Sequence, residues 1–164
     1  RLDRPVAGVV LFARTSKAAS RLSQQFRNRT IIKIYQATVI GLPKLMEGRL
    51  TGWLMKNQKT GKATVFSKET EGATKAELDY RVAKTLGKYA ILEIVLRTGR
   101  FHQIRAQLAF MKHPVVGDVK YGAPCNLPNR HIALYSSRIE IKHPISGKDL
   151  VLRSPEPTGW PFTA

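Results

Sequence analysis

The stretch YAILEIVLRTGRFHQIRAQLAF, residues 89–110, carries the change of period on which the fold turns. Its first half reads as a β-strand. Ala90, Leu92, Ile94 and Leu96 alternate along one continuous apolar face, and Tyr89 and the branched Ile91 and Val95 suit an extended backbone. Thr98-Gly99-Arg100 breaks that alternation, since Gly99 permits a tight turn. The apolar spacing then becomes helical, with Phe101, Ile104, Leu108 and Met111 on one side, and Pro114 stops the helix.

Working outward, the same reading divides the rest of the chain. Residues 76–82 are a strand joined to the first by Leu86-Gly87-Lys88. IIKIYQATVIG, residues 31–41, is another, rich in branched side chains and ended by Gly41 and Pro43. GVVLFA, residues 8–13, is a short continuous apolar run and predicts a buried strand. Thr15 or Ser16 is a fitting N-cap for a helix carrying Ala18, Ala19, Leu22 and Phe26 on one face, closed by Asn28. Residues 44–74 are polar and turn-rich, with short extended candidates at 50–55 and 64–67. Within them KNQKTGKAT, residues 56–64, is expected to be an exposed basic hairpin or loop. VVGDVKYG, residues 115–122, is a glycine-bounded loop, and residues 131–141 are a further strand. Everything from Pro155 is expected to be irregular. Helices and strands lie too close together for regular βαβ units, so the predicted class is α+β, with a mixed, mainly antiparallel sheet and flanking helices.

Length and composition fit one domain over 1–164. The charge balance is more informative. Twenty-eight lysines and arginines stand against 11 acids, a formal charge of +17 with a pI near 10.5. Such a surplus repels itself in the folded chain and calls for a polyanionic partner, nucleic acid first. An anionic membrane is the weaker choice. The longest apolar run, VAGVVLFA at 6–13, is far short of the roughly 20 residues a spanning helix needs. Cys125 is the only cysteine, which excludes an internal disulfide and a cysteine metal cluster. It also suits a reducing compartment, and we expect a cytoplasmic protein. His102, His113, His131 and His143 are scattered without an H-x-x-x-H pair, so no metal is expected. GDVKYG lacks the glycine spacing and Lys-Ser/Thr ending of a phosphate-binding loop.

Three places concentrate polar side chains beside strand ends. RLDRP sets Asp3 between Arg1 and Arg4, ahead of an apolar run and with Pro5 fixing the turn. Neighbouring positive charge favours the ionised carboxylate. A solvated surface ion pair is the plainer reading, but strand entries are also where site residues are mounted. Tyr35, central in KIYQA, is either half-buried packing or a platform on which a nucleobase stacks. The third place is LRTGRFHQIRAQLAFMKHPVVGDVKYG, residues 96–122. It sets Arg100, His102, Gln103 and Arg105 in the first turns of a helix, where backbone N–H groups favour anions. Arg105 lies at the margin of the apolar face, and an arginine there reaches inward for a carboxylate.

These two long segments, RLDRPVAGVVLFARTSKAASRLSQQFRNRTIIKIYQATVIG and LRTGRFHQIRAQLAFMKHPVVGDVKYG, closely resemble the RluA-like branch of the pseudouridine synthases. The resemblance runs from Arg1 into the region 127–144. It implies the catalytic-domain fold of that family and isomerisation of uridine in ribosomal RNA, or in transfer RNA, with no cofactor and no metal. Carried residue by residue, it makes Asp3 the catalytic carboxylate. Arg1 is similar to the arginine that enters the helix stack when the target base flips out, Tyr35 to the tyrosine that stacks on the uracil, and Arg105 to the partner of the catalytic aspartate. Arg4, Arg100, His102 and Gln103 join them as substrate-binding candidates. The family pattern also implies a histidine and several strands ahead of RLDR, so we expect a catalytic domain lacking its N-terminal part, monomeric unless strand exchange compensates. Ala7 stands where a serine is common. Two other readings use the same residues: an RNA-binding or ribosome-associated module without catalysis, and a metal-dependent nuclease built on Asp3 and Asp118.

Overall fold

A computed structural model describes residues 2–161. The chain runs through β1 (Ala7–Gly8), α1 (Ser16–Arg27), β2 (Ile32–Ile40), β3 (Glu47–Asn57), β4 (Lys62–Phe66), β5 (Thr74–Leu86), β6 (Tyr89–Leu96), α2 (Gln103–Phe110), β7 (Leu134–Lys142) and β8 (Asp149–Arg153). The eight strands form one sheet in the order β1-β7-β2-β6-β5-β3-β4, with β8 also on β7. Only the β1–β7 pairing is parallel among the described strands. The class is α+β.

The alternation predicted for β6 organises the core. Ala90, Leu92 and Ile94 are fully buried between β2 and β5, and they pack with Val39, Leu78 and the α2 residues Ile104 and Leu108. A second apolar cluster, Leu54, Ala63, Ala76 and Ala106, fastens α2 to the β3–β4 hairpin. Gln107 adds a polar tie, donating from Nε2 to the carbonyls of Leu50 and Ala76 at 3.2 and 3.3 Å. The basic stretch at 56–64 is therefore a hairpin as expected, except that its Ala63 is buried against α2. Strand β3 begins at Glu47, well before the candidate at 50–55, because its pairing with β5 runs unbroken from Glu47 to Leu54. On the exposed side, Asp79 of β5 takes Arg49 and Arg97 at 2.6 Å each. That ladder is the ordinary fate of a carboxylate among arginines.

Helix α1 starts where its cap requires. The Thr15 hydroxyl accepts from the Ala18 N–H at 3.2 Å, and Asn28 is the C-cap. The helix lies loosely, with Ala18 buried but Phe26 44% exposed. Leu22 packs it on the apolar cluster of Ile31, Ile139 and Ile141, and polar ties to the β7–β8 hairpin run from Arg21 to the Pro144 carbonyl and from Gln25 to the Lys142 carbonyl, both 2.8 Å.

The structure corrects the expectation of a buried strand at 8–13. Only Ala7 and Gly8 pair, with Tyr135 and Ser136 of β7, while Val10 is 41% and Phe12 88% exposed. The reason is competition for one edge. β8 occupies β7 from Arg138 to Lys142, so β1 has no further partner there. β8 itself is unannounced in the sequence, since DLVLR is short and lies close to the polar tail.

The short β1 still fixes the chain entry. The Asp3 carbonyl accepts from the Val6 N–H at 3.0 Å, closing a turn through Arg4 and Pro5. Gly8 (φ +115°) then lies so close to β7 that an added Cβ would stand 2.3 Å from the Ser136 carbonyl oxygen. Gly8→Ala is therefore expected to destabilise the protein by at least about 2 kcal/mol, through steric overlap and backbone strain together. Denaturant unfolding monitored by circular dichroism measures this. A midpoint equal to that of the parent chain would show that β1 does not hold Asp3 in place.

Candidate active site

The turn after β6 and the start of α2 bring the polar residues of TGRFHQIR to one end of the sheet. Gln103 builds this corner. Its Oε1 accepts from the Thr98 hydroxyl at 2.8 Å and from the Arg100 N–H at 2.9 Å, and its Nε2 donates to the Glu77 carbonyl at 3.0 Å. Its amide is thus used within the fold, although the residue borders the cavity. Arg100 lies ahead of the helix rather than in its first turn, and its Nε donates to the Lys75 carbonyl at 3.0 Å. His102 is the N-cap residue, held in the left-handed region (φ 51°, ψ 25°). That conformation is uncommon outside glycine and concentrates at working sites.

Arg105 points inward, as its marginal position predicts, and meets two carboxylates. Its Nε and Nη2 bind Oδ2 and Oδ1 of Asp118 at 2.7 and 2.8 Å, a bidentate pair in which both side chains are nearly inaccessible. Its Nη1 stands 3.4 Å from Oδ2 of Asp3, which is 27% exposed. Asp3 therefore shares its arginine with a better-bound partner. Burial alone would lower the Arg105 pKa, but the Asp118 hydrogen bonds and charge outweigh it and the net shift is upward. The Nε2 of His102 lies 3.6 Å from the same Asp3 oxygen.

These groups edge a cavity of about 290 Å³, close to the lower end of ligand pockets. Leu2, Val6, Leu96, Ile104 and Leu134 give it apolar walls; Asp3, His102 and Arg105 form one polar side, with Tyr35, Lys33 and Arg100 also on its lining. Tyr35 sits beside a bulge in β7, where Ser137 is the extra residue between the pairs Ile34–Arg138 and Tyr35–Ser136. Bulges commonly re-aim side chains next to sites. Burial, reinforced by the Asp3 charge, raises the Tyr35 pKa, so its phenol stays protonated at neutral pH. Burial and, second, the Arg29 charge lower the pKa of Lys33.

Of the residues expected from sequence, Asp3, Tyr35, Arg100, His102, Gln103 and Arg105 border one cavity. Arg4 is exposed and does not line it, and Arg1 lies outside the described residues. Sequence reasoning missed Lys33, two residues before Tyr35 and therefore on the same strand face. It also missed Asp118 as the main partner of Arg105. A signal existed for the second: Asp118 is an acid in a segment, GDVKYG, that has no basic neighbour before Lys120.

Known proteins resemble this chain in sequence and in fold. A family model described as RNA pseudouridylate synthase matches residues 1–110. The chain is 32% identical to tRNA pseudouridine synthase C of Salmonella typhimurium, over 98% of this chain and 68% of that protein. It is 30% identical to ribosomal large subunit pseudouridine synthase D of Vibrio cholerae, over 96% of this chain and 51% of that protein. The fold matches human RNA Pseudouridylate Synthase Domain Containing 1 with a TM-score of 0.82 at 22% identity, covering 96% of this chain and 67% of that one.

Burial dominates the titration of His102 and lowers its pKa to about 4. The Asp3 charge opposes that shift, Arg105 and Lys120 add to it, and Asp118 opposes it more weakly. The imidazole is thus neutral at physiological pH, with an ordinary value near 6.5 in the unfolded chain. As pH falls from about 6.5 to about 4, the unfolded chain takes up this proton first. Stability conferred by a neutral His102 is therefore complete above about pH 6.5 and is lost towards about pH 4. Imidazole NMR shifts of His102 are expected to stay flat from about pH 8 to about pH 5. An inflection between about pH 6 and 7 would contradict the buried, neutral assignment.

Proposed function

Because the chain belongs to the RNA pseudouridylate synthase family, in its RluA-like branch, we propose that it isomerises uridine to pseudouridine in RNA, with Asp3 as the carboxylate that begins the reaction. The observation that carries this reading is the placement of Asp3 at the edge of the cavity, its Oδ2 facing the Arg105 guanidinium and Nε2 of His102 while Tyr35 also lines the cavity.

The chemistry asks for these types of residue. The N1–C1′ glycosidic bond breaks, the detached uracil turns, and C5 is joined to C1′ while its hydrogen is lost and N1 is protonated. An ionised carboxylate begins this either as a nucleophile or as a base that removes a ribose proton. Arg105 orients Asp3 through a charge-assisted contact, and because Asp118 takes most of the guanidinium's hydrogen bonding, Asp3 is left without a tight ion pair. A uridine inside a helix must first leave the stack, and a stacking surface offsets part of that cost. Tyr35 supplies such a surface, and Arg1 is proposed to fill the gap. Lys33 and Arg100, on the lining, supply positive charge for the adjoining phosphates. The charge of +17 adds general affinity for the RNA backbone.

Two relatives are named for transfer RNA and for the ribosomal large subunit, and we propose transfer RNA and ribosomal RNA as the substrate classes to test for this chain. The metal-nuclease reading fits the geometry poorly, since the Arg105 guanidinium bridges the two carboxylates a metal would need. The purely binding module gives no use to a carboxylate turned towards an anionic partner.

Asp3→Asn in the intact protein is expected to lower pseudouridine formation by roughly 1,000-fold or more. RNA affinity, measured in parallel by filter binding, should remain within about threefold and fall steeply with added salt. Retained turnover by Asp3→Asn would remove Asp3 from the reaction; a wild-type protein that binds RNA without isomerisation would favour the binding module.

A further inference from the structure

The segment Gly117–Gly122 holds two side chains, Asp118 and Tyr121, that touch the neighbours of Asp3. Asp118 binds Arg105 through two hydrogen bonds, as described. Three residues on, at the end of the 3-10 turn Val119–Tyr121, the Tyr121 hydroxyl lies 2.8 Å from Nδ1 of His102. The Tyr121 ring also lies under the Arg105 guanidinium, 5.0 Å from Cζ, and meets the His102 ring edge-on at 5.6 Å. One turn of chain thus grips both groups that face Oδ2 of Asp3.

The hydrogen-bond network assigns direction to this grip. The Tyr121 oxygen accepts from the Ala63 N–H at 2.7 Å, which leaves its own proton to donate. Donation to Nδ1 of a neutral His102 leaves the imidazole proton on Nε2, the nitrogen turned to Asp3. The opposite tautomer would set an unprotonated nitrogen against a carboxylate. The turn itself is held: Asp118 accepts from Tyr121 and Ala123 N–H groups through its backbone carbonyl at 2.9 and 3.1 Å, and Gly117, at φ +83°, has no room for a Cβ beside Leu127 and the His131 carbonyl.

We propose that the Asp118–Tyr121 turn is a positioning element for catalysis: Asp118 fixes the Arg105 guanidinium and Tyr121 fixes the Nε2–H tautomer of His102, so that both present N–H to a single oxygen of Asp3 and leave Oδ1 to meet the substrate. Among the described residues Oδ1 has no hydrogen-bond or ion-pair partner, while Oδ2 has both neighbours. The inference rests on Asp3 as the reacting carboxylate, but its structural half is tested without RNA.

The first test is ¹⁵N NMR of the His102 imidazole in the free protein at neutral pH. Wild type should show a protonated Nε2 and an acceptor Nδ1, and Tyr121→Phe, which keeps the ring, should shift His102 towards mixed tautomers. A wild-type Nδ1–H tautomer, or a His102 spectrum unchanged in Tyr121→Phe, would overturn the proposal. The second test is steady-state pseudouridine formation. Tyr121→Phe and Asp118→Asn should each lower kcat by about 10- to 100-fold, the scale on which outer partners of reacting groups act, with KM for RNA within about twofold. Unchanged kcat in a folded variant, or a loss confined to KM, would also overturn it. Should Asp118→Asn fail to fold, Tyr121→Phe carries both tests. The expected NMR result from a protein that forms no pseudouridine would support the turn's grip and count against the proposed function.

Discussion

A single guanidinium organises this molecule's working end. Arg105 is buried at the start of α2, and a buried cation is costly unless its hydrogen bonds are met. Asp118 meets two of them with bidentate geometry, and Asp3 stands near a third. The unequal sharing matters. Had Asp3 been the bidentate partner, the structure would hold an inert buried salt bridge, and the carboxylate would be spent on stability. As built, the stabilising pair lies behind and the partly exposed carboxylate lies in front, facing the cavity.

The rest of the fold can be read as the support for that arrangement. Strand β6 and the corner tied by Gln103 deliver α2 at a fixed angle to the sheet, and the apolar residues Ile104 and Leu108 lock the helix to the core. From the other side, β1 and the turn closed by the Asp3 carbonyl bring the chain entry against β7. Asp3 and Arg105, 102 residues apart in sequence, meet because β7 pairs with β1 on one edge and β2 on the other, and β2 in turn adjoins β6. Tyr35 is on β2 within this same set of strands, which is why it lines the cavity formed by residues so distant in the chain.

Much of this was legible beforehand, for reasons that separate by residue. The β6–α2 stretch was readable because its apolar period changes at Gly99, and α1 because Thr15 is an effective cap. Asp3, Tyr35 and Arg105 were found as conspicuous polar side chains at element ends, then as members of family motifs. Three features stayed hidden. The run at 8–13 has the composition of a buried strand, but pairing depends on a vacant edge, and β8 holds that edge. Gln103 looked like a substrate ligand because a glutamine beside a helix N-terminus gives no hint that three backbone and side-chain groups will occupy its amide. Tyr121, and the role of Asp118 as partner of Arg105, were passed over because a turn between glycines has no period, and their partners lie on a different element.

The central claim is that the fork geometry of Arg105, and not only its positive charge, holds the carboxylate in working order. Arg105→Lys keeps the charge and loses the two-pronged contact with Asp118. The most direct measurement is pseudouridine formation by this variant in the intact protein, with folding checked by circular dichroism and RNA affinity measured alongside. The account predicts turnover lowered by about 100-fold or more with RNA affinity nearly unchanged. Turnover within about twofold of wild type in a folded variant would contradict it, because a point charge would then serve as well as the fork.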